Sequence, residues 1–118
     1  MERQAISTGQ APPAIGPYSQ AIVAGGLVFC SGTAGIDPVT GQIPAGIAEQ
    51  TRLALSNLEA ILTAAGASLS TLVKTTIFYR DVADFATINE IYAAHMPDPP
   101  PARSAPAASP RSHPWRTG

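Results

Sequence analysis

The sequence predicts an α+β domain in which two helices cover one face of a mixed or antiparallel β-sheet. Three observations predict it. Apolar stretches flank Gly25-Gly26 in the manner of a hairpin; two segments, Ile47 to Ala65 and Phe85 to Met96, keep apolar residues at helical spacing; and Leu72 to Arg80, rich in β-branched and aromatic residues, lies between them. Strands without a helix between every pair do not fit the strict alternation of an all-parallel sheet.

The first two strands are read at residues 21–24 and 27–33, because adjacent glycines supply the positive φ angles of a tight hairpin turn. Asp37-Pro38-Val39-Thr40-Gly41 then reverses the chain, with proline at the second turn position and glycine at its end. In the long helix, Ile47, Leu55, Leu58, Ile61, Leu62 and Ala65 form one stripe. Gln50, Arg52, Asn57 and Glu59 fall largely outside it, and Gly66 supplies a left-handed end. Leu72 to Arg80 is expected to be a central strand with Val73, Thr75, Ile77 and Tyr79 on one face. Asp81 or Asp84 caps the second helix, whose Phe85, Ile88, Ile91, Tyr92 and Met96 keep helical spacing until Pro97. The expected order is β-β-α-β-α. The uncovered sheet face, if apolar, calls for a second copy of the chain, so a homo-oligomer is expected.

The chain has 118 residues, one domain's worth, with 45% hydrophobic and 13% charged residues, which excludes the low-hydropathy recipe for disorder over most of it. Seven basic residues against eight acidic ones give a net charge of −1, against a phosphate-tracking surface, so a nucleic-acid partner is not expected. The single cysteine, Cys30, cannot form an internal disulfide, and no cysteine–histidine cluster is present to hold structural zinc. Phosphate-loop, dinucleotide, zinc-protease and nucleophile-elbow motifs are all missing, so neither cofactor nor metal is expected. The start lacks a basic region followed by an apolar run, and no stretch reaches the roughly 18 apolar residues of a membrane span. A soluble, cytoplasmic protein without a membrane partner is the expectation.

Several residues can carry chemistry. Gly16-Pro17-Tyr18-Ser19-Gln20 is a turn-forming group that delivers Tyr18 just ahead of the first strand, as an aromatic plug with its hydroxyl in water or as a pocket residue. Ser31 points to the face opposite Cys30, where it either reaches a ligand or closes its strand end. Cys30 itself reads as a small buried hydrophobe, since no adjacent cation lowers its pKa. His95 and His113 stand alone, one at a helix end and one in the tail, and read as solvated or helix-end side chains. Asn89 lies beside the apolar stripe of the second helix, where an amide commonly faces solvent. Arg103, in Pro101-Ala102-Arg103-Ser104, sits in an extended, proline-stiffened segment that presents a planar fork suited to a carboxylate.

Gly-Pro-Tyr-Ser-Gln at 16–20, Leu-Val-Phe-Cys-Ser-Gly at 27–32, Asp-Pro-Val-Thr-Gly at 37–41, Gln50-Thr51-Arg52 through Asn57-Leu58, Asn89-Glu90-Ile91-Tyr92 and Pro-Ala-Arg-Ser at 101–104 occur in order. Together they resemble the RidA (YjgF-like) family of reactive intermediate deaminases, from about Ile6 to Ser104. The resemblance implies a chorismate-mutase-like α+β fold, a homotrimer with active sites in clefts between subunits, and hydrolysis of enamines and imines to 2-keto acids and ammonia without a cofactor. It implies that Arg103 holds the substrate carboxylate and that Tyr18, Ser31 and Asn89 line the pocket, with Arg103 and Tyr18 as the catalytic pair. A 2-imino acid suits these residues: its carboxylate is a handle for arginine, and its C=N carbon is already electrophilic.

The chain departs from that pattern after Ser104. Relatives continue with alternating apolar residues and a last strand bearing a glutamate, usually given the acid/base role. Here residues 105–118 carry prolines at 106, 110 and 114, and no acidic residue follows Asp98. Seven of the twelve prolines lie between Pro97 and Pro114, and Trp115 is the only large apolar side chain beyond Met96. The expected organisation is therefore a domain over 1–104 and a divergent tail over 105–118, with the last strand missing or altered. Two origins of such a tail are open to the sequence, a frame change just after Ser104 and a genuine divergence. Prolines remove ladder donors, so no regular central strand is expected there. Without the glutamate, impaired activity becomes an expectation. Two other readings follow: a protein that binds 2-keto acids without turnover, and an RNA-cleaving translation inhibitor. The latter is poorly served by three tail arginines, Arg103, Arg111 and Arg116.

Overall fold

A computed structural model describes residues 2–108 of the chain. Strands β1 (Gln4–Ile6), β2 (Ala21–Ala24) and β3 (Leu27–Cys30) precede the long helix α1 (Ile47–Ala64); β4 (Lys74–Thr76), α2 (Phe85–His95) and β5 (Ala102–Ser104) follow. The first three strands form an antiparallel sheet in the order β1-β2-β3, while β4 and β5 pair in parallel, joined across α2. The mixed α+β architecture is the expected one, with two strands more than the expected order: β1 and β5 each extend over only three residues.

Local chemistry explains the element ends. Gly25 and Gly26 both adopt positive φ, 58° and 78°, as a two-residue hairpin requires. Asp37 Oδ1 accepts the backbone N–H groups of Val39 and Thr40, and Gly41 N–H closes the turn on the Asp37 carbonyl at 2.8 Å. Gly66, at φ 80°, ends α1: its N–H bonds the Thr63 carbonyl while Ala67 N–H bonds the Leu62 carbonyl, the paired bonds of a Schellman end. Asp81 caps the turn of 3-10 helix at Val82–Asp84 through Ala83 N–H and so launches α2; Asp84 makes no side-chain cap.

The strand expected over 27–33 stops at Cys30 because the chain beyond it is drawn toward α1. Thr33 Oγ1 donates to the Ala54 carbonyl, and Asn57 Nδ2 donates to the carbonyls of Ala34 and Ile36 at 3.0 and 2.8 Å. Asn57, expected outside the apolar stripe, is instead 1% exposed, because those two carbonyls satisfy its amide inside the protein. Gly35 runs so close to α1 that a Cβ there would collide with the Gln50 backbone.

The stretch 72–80 was expected to be a regular central strand, yet its ladder with β5 spans only Lys74–Thr76. The backbone stays paired beyond it on the same edge: Ile77 N–H bonds the Ser104 carbonyl, Tyr79 bridges Ala107, and Ala108 N–H bonds the Tyr79 carbonyl. Pairing thus outlasts Ser104 by four residues, with one rung lost: in this register the donor to the Ile77 carbonyl falls at Pro106, which has no N–H. The remaining tail, with His113, Trp115, Arg111 and Arg116, lies outside the described residues. Thr75, Ile77 and Tyr79 are half-buried as expected, but Val73 is exposed, since it precedes the strand and contributes only its carbonyl, to Ala102 N–H.

Helix α1 serves two small cores. Ile61 packs with Ala11 and Ala21 beneath Val28 and Cys30, and Leu55 packs with Ile91 and Tyr92 beside Ile77 and Met96. Between the two sheets lies a groove of about 1010 Å³, bounded by Val28 and Cys30 on one side and Thr75 and Ile77 on the other, over Leu55 and Leu62. Among the described residues β4 is therefore paired on one edge only. Leu27 and Phe29 make the outward face of β3 apolar, 50% and 59% exposed, and Phe78, just past β4, is 74% exposed.

Candidate functional site

The candidate residues fall into two groups. In the first, β5 presents Arg103 opposite Thr75 in the parallel register, and the half-buried Asn89 projects from the neighbouring α2. Arg103 Nη1 donates to Asn89 Oδ1 at 2.7 Å. The guanidinium carbon lies 5.1 Å from the centroid of the Tyr92 ring and 5.6 Å from that of Phe85. Asn89 occupies one Nη group, and the Nε–Nη2 edge makes no hydrogen bond among the described residues. That edge is a two-donor fork matched to a carboxylate. The solvent-facing amide expected for Asn89 is thus tied to the arginine.

The second group lies at the mouth of the β2–β3 hairpin. Ser31 N–H bonds the Gln20 carbonyl and Ser31 Oγ donates to the Ser19 carbonyl at 2.6 Å, so the hydroxyl closes the strand end while it borders the groove. Tyr18 is half exposed, and its hydroxyl accepts a long 3.4 Å bond from Ile15 N–H. No hydrogen bond or ring contact among the described residues joins this group to Arg103 and Asn89. The chain brings the four residues together as two pairs.

The unused candidates take structural positions. Cys30 is half-buried against Ala11, Ala21 and Ile61, and burial pushes its thiol pKa up, away from a reactive thiolate. His95 turns Nδ1 onto the Ile91 carbonyl at 2.8 Å, one turn back in α2. Among the described residues no three metal-ligating side chains cluster, and no helix is long and apolar enough to cross a membrane.

Sequence reasoning missed two features around these groups. Gln20 is 6% exposed: its amide donates to the carbonyls of Thr8 and Pro12 and accepts Thr8 N–H, fastening the segment that carries Tyr18. From the sequence alone, Phe85 and Tyr92 are apolar positions of a helix. The available signal was their spacing: they flank Asn89 at four residues before and three after, on one side of a helix.

Residues 8–110 match the family model described as Endoribonuclease L-PSP. The chain is 50% identical over 105 residues to Reactive Intermediate Deaminase A, chloroplastic, of Arabidopsis thaliana, covering 88% of this chain and 56% of that protein, little more than half its length. It is 47% identical over 104 residues to the 2-iminobutanoate/2-iminopropanoate deaminase of Mus musculus, covering 87% of this chain and 77% of the mouse protein. The crystal structure of Escherichia coli TdcF with bound serine shares the fold with a TM-score of 0.84 and 44% identity, over 89% of this chain and 85% of TdcF.

Proposed function

We propose, from the premise that this chain belongs to the Endoribonuclease L-PSP family, the RidA (YjgF-like) group, that it is an enamine/imine deaminase acting on small 2-imino acids. Two relatives carry deaminase names, and a third holds serine, a ligand with the same α-carboxylate handle. The observation that carries the reading is Arg103, held by Asn89 with its Nε–Nη2 edge free of protein partners among the described residues.

The reaction is R–C(=NH)–COO⁻ + H₂O → R–CO–COO⁻ + NH₃. An enamine substrate first takes a proton on carbon to become the imine. Water adds to the C=N carbon, a proton moves to nitrogen, and ammonia leaves as the carbonyl forms. In this reading Arg103 grips the carboxylate and fixes the C=N plane, Asn89 steadies the guanidinium, and Ser31 and Tyr18 offer hydroxyls to the water and the nitrogen.

The two pairs form one site when two copies meet, the Arg103–Asn89 pair of one facing the Tyr18–Ser31 pair of the next. A homotrimer is the proposed assembly, supported by the outward Leu27, Phe29 and Phe78, which need a cover. The test is keto-acid release from a pyridoxal-phosphate dehydratase generating 2-aminoacrylate. Added protein should accelerate release over spontaneous hydrolysis, and Arg103→Ala should abolish the acceleration. Binding of 2-ketobutyrate without acceleration would instead identify a non-catalytic 2-keto acid binder.

A further inference from the structure

Arg103 stands on an exposed strand, yet its guanidinium is contacted from three directions. Asn89 takes Nη1, while the Tyr92 and Phe85 rings lie 5.1 and 5.6 Å from the guanidinium carbon. Each ring is fixed in turn. Tyr92 is 7% exposed, and its hydroxyl lies 2.5 Å from Oγ1 of Thr75, the register partner of Arg103 on β4. Phe85 packs on Tyr79 with ring centroids 5.2 Å apart.

A free arginine side chain spreads over many rotamers, and only those aiming the fork outward bind an anion. Two ring faces and one amide oxygen reduce that freedom before the ligand arrives. The rings also attract the cation without competing for its donors, whereas a carboxylate neighbour would occupy the fork and cancel its charge.

We propose that Phe85 and Tyr92 are positioning residues for Arg103, with Thr75 locking the Tyr92 ring, and that together they preorganise the guanidinium for a small monocarboxylate. The inference rests on the deaminase reading and deepens it: affinity for the carboxylate end of the substrate depends on two rings that need not touch the substrate.

The test is a double-mutant cycle on the full chain, read by calorimetric titration with 2-ketobutyrate and by the KM and kcat of imine hydrolysis. Phe85→Leu should weaken binding and raise KM by roughly threefold to fivefold, the size of an exposed cation–π contact, with kcat nearly unchanged. Phe85→Tyr should restore both values. Tyr92→Phe, which keeps the ring and drops the Thr75 link, should give a smaller loss of the same kind. In the Arg103→Lys background, where binding is weaker but measurable, Phe85→Leu should add little further loss. Equal losses from Phe85→Leu in both backgrounds would overturn the positioning role while leaving the deaminase reading intact. An Arg103→Ala variant that binds and turns over like the parent would overturn both. Thermal unfolding of each variant separates a loss of fold from a loss of aim.

Discussion

Arg103 and Asn89 are joined by a 2.7 Å hydrogen bond that ties strand β5 to helix α2 and leaves one edge of the guanidinium unbonded among the described residues. The bond is charge-assisted, yet its acceptor is neutral, so the arginine keeps its full positive charge for a ligand. A carboxylate in the same place would hold the arginine as firmly and defeat its purpose.

The first prediction follows from that difference. Asn89→Ala removes the brace and should weaken 2-ketobutyrate binding by about tenfold, the equivalent of one modest hydrogen bond to a charged group. Asn89→Asp should be worse, because the new carboxylate neutralises the guanidinium. Calorimetric titration ranks the three proteins, and an Asp variant that binds like the parent would show that Arg103 does not hold the carboxylate.

Much of the fold was legible because local chemistry and tertiary structure agree. The glycine pair at 25–26, the Asp37 turn and the Gly66 helix end each demand one backbone conformation, and each has it. What stayed illegible lacks a local signature. β1 and β5 are three-residue strands that exist only through long-range partners, Gln4 with Val23 and Arg103 with Thr75. Asn57 is polar, so periodicity places it outside, and only the carbonyls of Ala34 and Ile36 bring it in. At the site, motifs marked Arg103, Asn89, Tyr18 and Ser31, but pairwise grouping is a property of topology that spacing does not encode.

Asn57 supplies a stability prediction. Its amide satisfies two loop carbonyls inside the protein, so Asn57→Leu, which roughly keeps the volume and removes the donors, strands both acceptors. Leaving buried acceptors unpaired costs about 1–3 kcal/mol each, and a loss of at least about 2 kcal/mol is expected. Urea unfolding should show a lower midpoint at constant slope. An unchanged midpoint would mean that water reaches those carbonyls without cost.

Cys30 gives a pH dependence. Burial raises its thiol pKa above the ordinary 9.0, so the folded state keeps its proton where the unfolded chain has begun to lose it. Below the unfolded pKa both states are protonated and the thiol is neutral in its effect. As pH rises past that value, the unfolded state binds fewer protons and stability falls until the folded thiol also ionises. Chemical denaturation between pH 7 and pH 10 should therefore show a decline that Cys30→Ala reduces, and parallel curves for the two proteins would remove the assignment.

The division of the site into two pairs gives the most direct test of assembly. Tyr18 and Ser31 are tied to the segment that leads into β2, through Ile15 N–H and the Ser19 carbonyl, whereas Arg103 and Asn89 belong to β5 and α2. If each working site draws one pair from each of two copies, Arg103→Ala and Tyr18→Ala are inactive for different reasons and can repair each other. In a ring assembled at random from equal amounts of the two variants, a site is whole when a copy with Arg103 precedes a copy with Tyr18, about a quarter of all sites. Co-expression followed by purification of the mixed assembly should therefore recover about a quarter of the parent's turnover per chain, while mixing without subunit exchange recovers none. No recovery in a mixed assembly of proven composition would place both pairs of a working site in the same copy and overturn the shared cleft.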